Sequence, residues 1–85
     1  MATTRQDLRE WFERGVEDGA THMIVVCDTF SYEDYPVYVM PGEDARAKFN
    51  EHQNPGKMSS VMEVYNLSQD KEEQLKTSGP GILRF

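Results

Sequence analysis

Thr21 to Met40 reads THMIVVCDTFSYEDYPVYVM, and this stretch decides the fold. Met23-Ile24-Val25-Val26-Cys27 is nearly all apolar. Val37-Tyr38-Val39-Met40 follows, after the polar and aromatic connection Ser31-Tyr32-Glu33-Asp34. β-Branched and aromatic residues suit a pleated, half-buried surface. The pattern therefore predicts a hairpin with a buried first strand and a loop longer than two residues. The first strand is expected over Thr21–Phe30 and the second over Tyr35–Met40. A continuous apolar centre means a first strand covered on both faces, or the middle strand of a small sheet. Pro36 cannot donate to a ladder, which fits a strand start or an edge.

Upstream, Thr3 or Thr4 can cap a helix, and Thr4-Arg5-Gln6-Asp7 approximates a capping box. Leu8, Trp11, Phe12 and Val16 then form one apolar stripe at helical spacing. Arg9–Glu13, Glu10–Arg14 and Arg14–Asp18 can pair on the outer face. Gly19 suits a left-handed terminus, so the helix is expected over residues 4–18.

Downstream, Pro41-Gly42 breaks the chain, and Glu43 and Asp44 suit a helix N-terminus. Ala45 and Phe49 face inward from a short helix ending near Gln53, before the stop signal Asn54-Pro55-Gly56. Met58 to Leu67 fits two periods. Met58, Val61, Met62 and Tyr65 have helical spacing, whereas Val61, Glu63, Tyr65 and Leu67 would share one face of a strand. Two valines and a tyrosine between turn signals favour the strand. Ser68 then caps a charged helix over Gln69–Thr77, with Leu75 as its large apolar residue. Ser78-Gly79-Pro80-Gly81 is a flexible break. The tail Ile82-Leu83-Arg84-Phe85 is apolar enough to require cover from its own core or from a partner. The economical solution is one α+β domain over residues 1–85. Its elements run α-β-β-α-β-α, with a three-stranded antiparallel sheet, helices on one face and a flexible or partner-covered tail at 78–85.

The 85 residues carry nine lysines and arginines against fifteen acids, for a net charge of −6. All of that excess lies in residues 1–54, and residues 55–85 balance. Such a surface repels phosphate backbones. It disfavours direct nucleic-acid or anionic-membrane binding and is compatible with a basic protein partner. One cysteine, Cys27, allows no internal disulfide and reads as a small buried hydrophobe in a reducing compartment. Neither a signal peptide nor a membrane-length apolar run is recognisable, so a cytoplasmic location is expected.

No glycine-rich phosphate loop and no zinc-site spacing occur, and no cofactor is expected. His22 and His52 read as lone histidines. A nucleophile built from Cys27, Asp28 and a histidine would need an accessible thiolate, which an Ile-Val-Val-Cys run opposes. Asp28, Glu33 and Asp34 supply oxygens for a hard cation but match no calcium loop. Recognition is the better reading of this region, because Phe30, Tyr32, Tyr35 and Tyr38 alternate with Glu33 and Asp34. Tyrosine offers a rigid contact surface with one polar tip. The candidate binding residues are therefore Tyr32, Glu33, Asp34, Tyr35 and Tyr38. Met40, Met58 and Met62 are assigned mainly to core packing, with adaptable surface as the alternative.

Ala20 to Val39 (ATHMIVVCDTFSYEDYPVYV) and Val61 to Leu75 (VMEVYNLSQDKEEQL) resemble a group of short uncharacterised proteins of tailed phages and bacterial genomes. The preceding LREWFERGVEDG, Leu8 to Gly19, belongs to the same pattern. The likeness runs to about Leu75, with 42–57 and the tail after Lys76 as its variable parts. It implies a phage or prophage setting and carries over no catalytic residue. Small acidic proteins of that setting act by binding host enzymes or defence complexes, or by sequestering signalling nucleotides.

The leading expectation is thus a non-enzymatic interaction protein that binds a host or phage protein and modulates it. A basic, nucleic-acid-handling or defence complex would be a matching target. The alternative is an oligomer that sequesters a small ligand such as a nucleotide, with Arg5, Arg46 and Lys57 as scattered phosphate contacts. Two sheet edges and the apolar tail favour a homodimer.

Overall fold

A computed structural model describes residues 4–77 and 81–85. The elements are α1 (Arg5–Glu17), β1 (His22–Asp28), β2 (Glu33–Val39), α2 (Ala45–His52), a 3-10 turn (Pro55–Lys57), β3 (Ser59–Asn66), α3 (Lys71–Lys76) and β4 (Ile82–Leu83). They form an α+β fold around one sheet in the order β2-β1-β3-β4. β1 pairs antiparallel with both β2 and β3, and β4 runs parallel to β3. The expected three-stranded antiparallel sheet is thus a four-stranded mixed one. The tail supplies the difference: Gly81 N–H donates to the Met62 carbonyl (2.8 Å) and Arg84 N–H to that of Val64 (3.1 Å). The anticipated cap at Thr3 and the break at Ser78–Gly79–Pro80 lie outside the described residues.

β1 is the middle of the hairpin-plus-β3 unit, and Met23, Ile24, Val25 and Val26 are all buried. Side chains alternate across a strand. Met23 and Val25 meet Phe12 of α1, Tyr65 of β3 and Leu75 of α3. Ile24 and Val26 meet Val39, Val64, Ala45 and Phe49 on the other face. The helices therefore pack on both faces of the sheet, not on one as the sequence predicts. α2 covers the second face, because β1 has no polar side to leave in water.

α1 begins with the capping box in full: Thr4 Oγ1 accepts from Asp7 N–H, and the Asp7 carboxylate accepts from Thr4 N–H. It ends in a Schellman motif, with Gly19 at φ +81° and Ala20 N–H bonded to the Gly15 carbonyl. The inward face is Leu8, Trp11, Phe12 and Gly15. Val16, placed by spacing on the core stripe, is instead 52% exposed. Gly15 takes the core position because any Cβ there would lie 2.6 Å from Leu67 Cδ1 and 2.8 Å from Tyr38 Cε1. The expected Arg9–Glu13 pair also gives way to tertiary ones: Arg9 binds Glu72, and Lys71 Nζ reaches Glu13 at 2.6 Å. These pairs flank the buried Leu75, which packs the highly charged α3 into the first core beside Phe12 of α1.

β3 contains a bulge. Val25 pairs with Glu63 and Val26 with Val61, which leaves Met62 as the extra residue. Val61 consequently packs on the α2 face, not beside Glu63, Tyr65 and Leu67 as simple alternation requires. Glu63 is buried, with its carboxylate accepting from the Tyr65 hydroxyl (2.7 Å) and from Arg84 (3.2 Å). Arg84 also donates to the Gln74 carbonyl and lies 5.1 Å from the Tyr65 ring centroid. Phe85, next along, packs on the opposite face against Phe49. The tail therefore straddles the sheet edge. The α3 cap is Asp70, which accepts from Glu73 N–H at 3.0 Å; Ser68 instead turns back to Asn66.

Candidate functional site

The β1–β2 connection is a four-residue turn, Thr29 to Tyr32. Asp28 builds it: its carbonyl accepts from Tyr32 N–H (2.6 Å), and its carboxylate accepts from Phe30 (2.9 Å) and Ser31 (3.3 Å) N–H. The Asp28 side chain is thereby committed to its own loop.

Tyr32 closes the turn at φ +57°. A left-handed conformation costs a non-glycine residue roughly 1–2 kcal/mol. Nothing in the core compensates for this, because the Tyr32 ring is 73% exposed and Phe30 beside it 77% exposed. A second loop shows the same combination. Met58, leaving the 3-10 turn, has φ +56° and is 52% exposed. The two loops are joined, since Thr29 N–H donates to the Met58 carbonyl at 2.8 Å. One end of the sheet thus carries three large apolar side chains on a braced double loop.

Register sorts the other candidates. Residues directly opposite in an antiparallel pair share a face. Glu33 pairs with Asp28, and Tyr35 with Val26, so both lie on the α2 face. Asp34 pairs with Cys27 and lies on the α1 face, as does Tyr38. The structure therefore brings Glu33 and Tyr35 to one side of the hairpin and takes Asp34 and Tyr38 to the other, with Tyr32 in the turn between the strands. Tyr35 is partly exposed and Glu33 is exposed. Tyr38 is half-buried in the first core, and its hydroxyl donates to the Trp11 carbonyl at 2.7 Å. Its ring serves the fold. Burial also pushes the Tyr38 phenol pKa upward.

Spacing indicated the tyrosines but not the platform. Phe30 had the right signal, as an aromatic beside a turn. Met58, expected mainly in the core with adaptable surface as the alternative, is exposed, carried out by the backbone turn that ends the Pro55–Lys57 segment. Met40 is partly exposed as well, whereas Met62 packs against the first core.

Cys27 stands on the α1 face at one end of β1, and His22 on the α2 face at the other. Five residues of strand place them about 17 Å apart along the strand. Burial, then the hydrogen bond and charge of Asp34, push the Cys27 thiol pKa upward, which favours the unreactive protonated form. His22 Nδ1 meets Thr21 Oγ1 at 3.0 Å. His52 ends α2. Among the described residues, no group of three or more His, Cys, Asp or Glu side chains is arranged to hold a metal. Asp28 and Asp34 point from opposite faces. The scattered cations stay apart by element: Arg5 opens α1, Arg46 lies over Phe85 in α2, and Lys57 ends the 3-10 turn. A shallow apolar depression of about 410 Å³ lies between α1 and the segment before α3, beside Phe12, Val16 and Leu67. Among the described residues, no helix is long and apolar enough to cross a membrane.

Comparison with protein-family models, with curated proteins and with solved structures gives no match.

Proposed function

We propose that this chain is a protein-interaction module that grips its partner with the double-loop end of the sheet. Phe30, Tyr32 and Met58 form the contact platform, and Glu33 and Tyr35 border it. The observation that carries this reading is Tyr32. The backbone bears left-handed strain there while the ring it holds is 73% exposed and unused by the core. Strain of this kind, over-determined by its surroundings, is the structural mark of a site kept for contact. Exposed aromatics clustered at one end of a rigid scaffold are what interface hot spots are made of.

The setting that agrees with the resemblance is a phage or prophage protein acting in the host cytoplasm, with a host or phage protein as its target. Modulation would be by occlusion: a braced tip without a catalytic constellation blocks a surface and transforms nothing. Self-pairing through the free edge of β2 is disfavoured, since Pro36 cannot donate and Glu33 and Asp34 would meet like charges. A homodimer, if formed, would use another surface.

Affinity capture from host lysate tests the reading by comparison, with the native chain beside a Phe30→Ser/Tyr32→Gly variant. Glycine adopts the left-handed turn without strain, so this variant should fold at least as well at position 32. A partner retained by the native chain and lost by the variant is expected. Equal recovery by both would rule out the platform.

A further inference from the structure

Resting on that reading, we infer that the segment of the partner that occupies the tip is a basic one that presents arginine. The exposed rings carry the site, and the charge around them selects its occupant. Between Arg14 and Arg46 the chain holds seven acids and no lysine or arginine, so the entire hairpin is anionic. Of the two loops that make the platform, the second adds one cation, Lys57. Glu33, beside Tyr32 in the chain, is exposed and makes no ion pair among the described residues. Its cross-strand neighbour Asp28 adds charge on the same face, although its oxygens accept from the loop amides.

Guanidinium fits this surface better than ammonium does. It is planar and weakly hydrated, stacks on aromatic faces and forms two parallel bonds to a carboxylate. The protein itself contains a filled example of the same chemistry. Arg84 lies 5.1 Å from the Tyr65 ring centroid while it donates to the Glu63 carboxylate at 3.2 Å. A second guanidinium, that of Arg46, sits 4.6 Å from the Phe85 ring centroid. At the hairpin tip the chain presents the ring and the carboxylate, Tyr32 and Glu33, with no guanidinium of its own among the described residues. An incoming arginine would lay its plane on Tyr32 or Phe30 and pair with Glu33, and its methylene stem would run over Met58. Phosphate-bearing partners meet repulsion at the same place.

The test uses the full chain and three synthetic peptides of equal length: alternating glycine-arginine, glycine-lysine and glycine-glutamate. Fluorescence anisotropy is read at low and at physiological salt. The arginine peptide should bind, and about tenfold more tightly than the lysine peptide of identical charge, the extra coming from stacking and bidentate pairing. Phe30→Ser/Tyr32→Gly should weaken it by about tenfold or more, the size expected of a lost ring contact. Glu33→Gln, at an exposed position that leaves the fold untouched, should weaken it several-fold and flatten its salt dependence. Equal affinity for the arginine and lysine peptides would overturn the inference, because net charge alone would then explain the binding. Unchanged affinity in both variants would overturn it as well. If no peptide binds but lysate capture still depends on Phe30 and Tyr32, the arginine assignment fails and the platform stands. If capture is independent of both residues, the platform fails with it.

Discussion

The Tyr38 hydroxyl of β2 donates a 2.7 Å hydrogen bond to the Trp11 carbonyl inside α1. It ties the outer strand of the hairpin to the first helix, across the layer that Gly15 allows to close. Tyr38→Phe keeps the ring and removes the bond, at an expected cost of about 0.5–1.5 kcal/mol. The raised phenol pKa adds a sign: stability from the protonated hydroxyl is complete below the unfolded value of about 10 and is lost as pH rises through the folded value. Urea unfolding of the two proteins at neutral and alkaline pH checks both parts.

Gly15→Ala should destabilise the protein. Helix propensity alone argues for a gain of about 1 kcal/mol. The new Cβ, however, would stand 2.6 Å from Leu67 Cδ1 and 2.8 Å from the Tyr38 ring. That ring is anchored by its hydroxyl and cannot swing away freely. Overpacking costs about 1–3 kcal/mol, so a net loss in denaturant midpoint is expected.

Arg84→Met should cost about 3–5 kcal/mol, because it leaves the Glu63 carboxylate buried with its cation removed. Adding Glu63→Gln to that variant should restore part of the loss. Thermal melts of the native, single and double variants give the coupling. Additivity of the two changes would show that the pair does not act as a unit.

The acid limb of stability should be set partly by Glu43 and Glu72. The Met40 backbone N–H, then Lys48, hold the Glu43 carboxyl below the usual carboxylate range. Arg9 does the same for Glu72. A depressed folded pKa contributes stability that is present above the unfolded value, about 4.3, and lost as pH falls through the folded value. Both sites are exposed, so the effect is small and weakened by salt. Glu43→Gln should flatten the fall of the urea midpoint as pH drops through the carboxylate range.

Cys27 should alkylate slowly near neutral pH in the folded chain and rapidly once it is unfolded in urea. Asp34→Asn should speed the folded reaction, because the carboxylate that disfavours the thiolate is gone. Prompt stoichiometric labelling of the native chain at pH 7 would contradict the thiol environment described above.

Periodicity and caps announced most of the secondary structure. The Met23–Val26 run declared a strand with two buried faces, and Thr4 with Asp7 and Gly19 marked both ends of α1 within a residue. The sheet's fourth strand could not be read, because two residues have no period and Ile82–Leu83 becomes a strand only by lying against β3. The Val61 assignment failed for a related reason: one surplus residue at Met62 resets alternation, and nothing local announces it. Val16 lost its core position to a glycine, which hydropathy ignores and close approach selects. At the tip, composition pointed to Glu33 and Tyr35. It could not separate them from Asp34 and Tyr38, since that division depends on which strand residue stands opposite which.

The bulge makes β3 unequal in its tolerance of shortening. Excising Met62 would put Val61 and Glu63 back to back in an ordinary ladder, with every remaining side chain still in phase with its own layer. Excising Glu63 instead would also close the bulge, but it would move Met62 into the vacated place and remove the carboxylate that Arg84 binds. Yet the Met62 carbonyl is also what Gly81 grips, so the in-phase deletion would disturb one of the bonds that fasten the chain's last strand to β3.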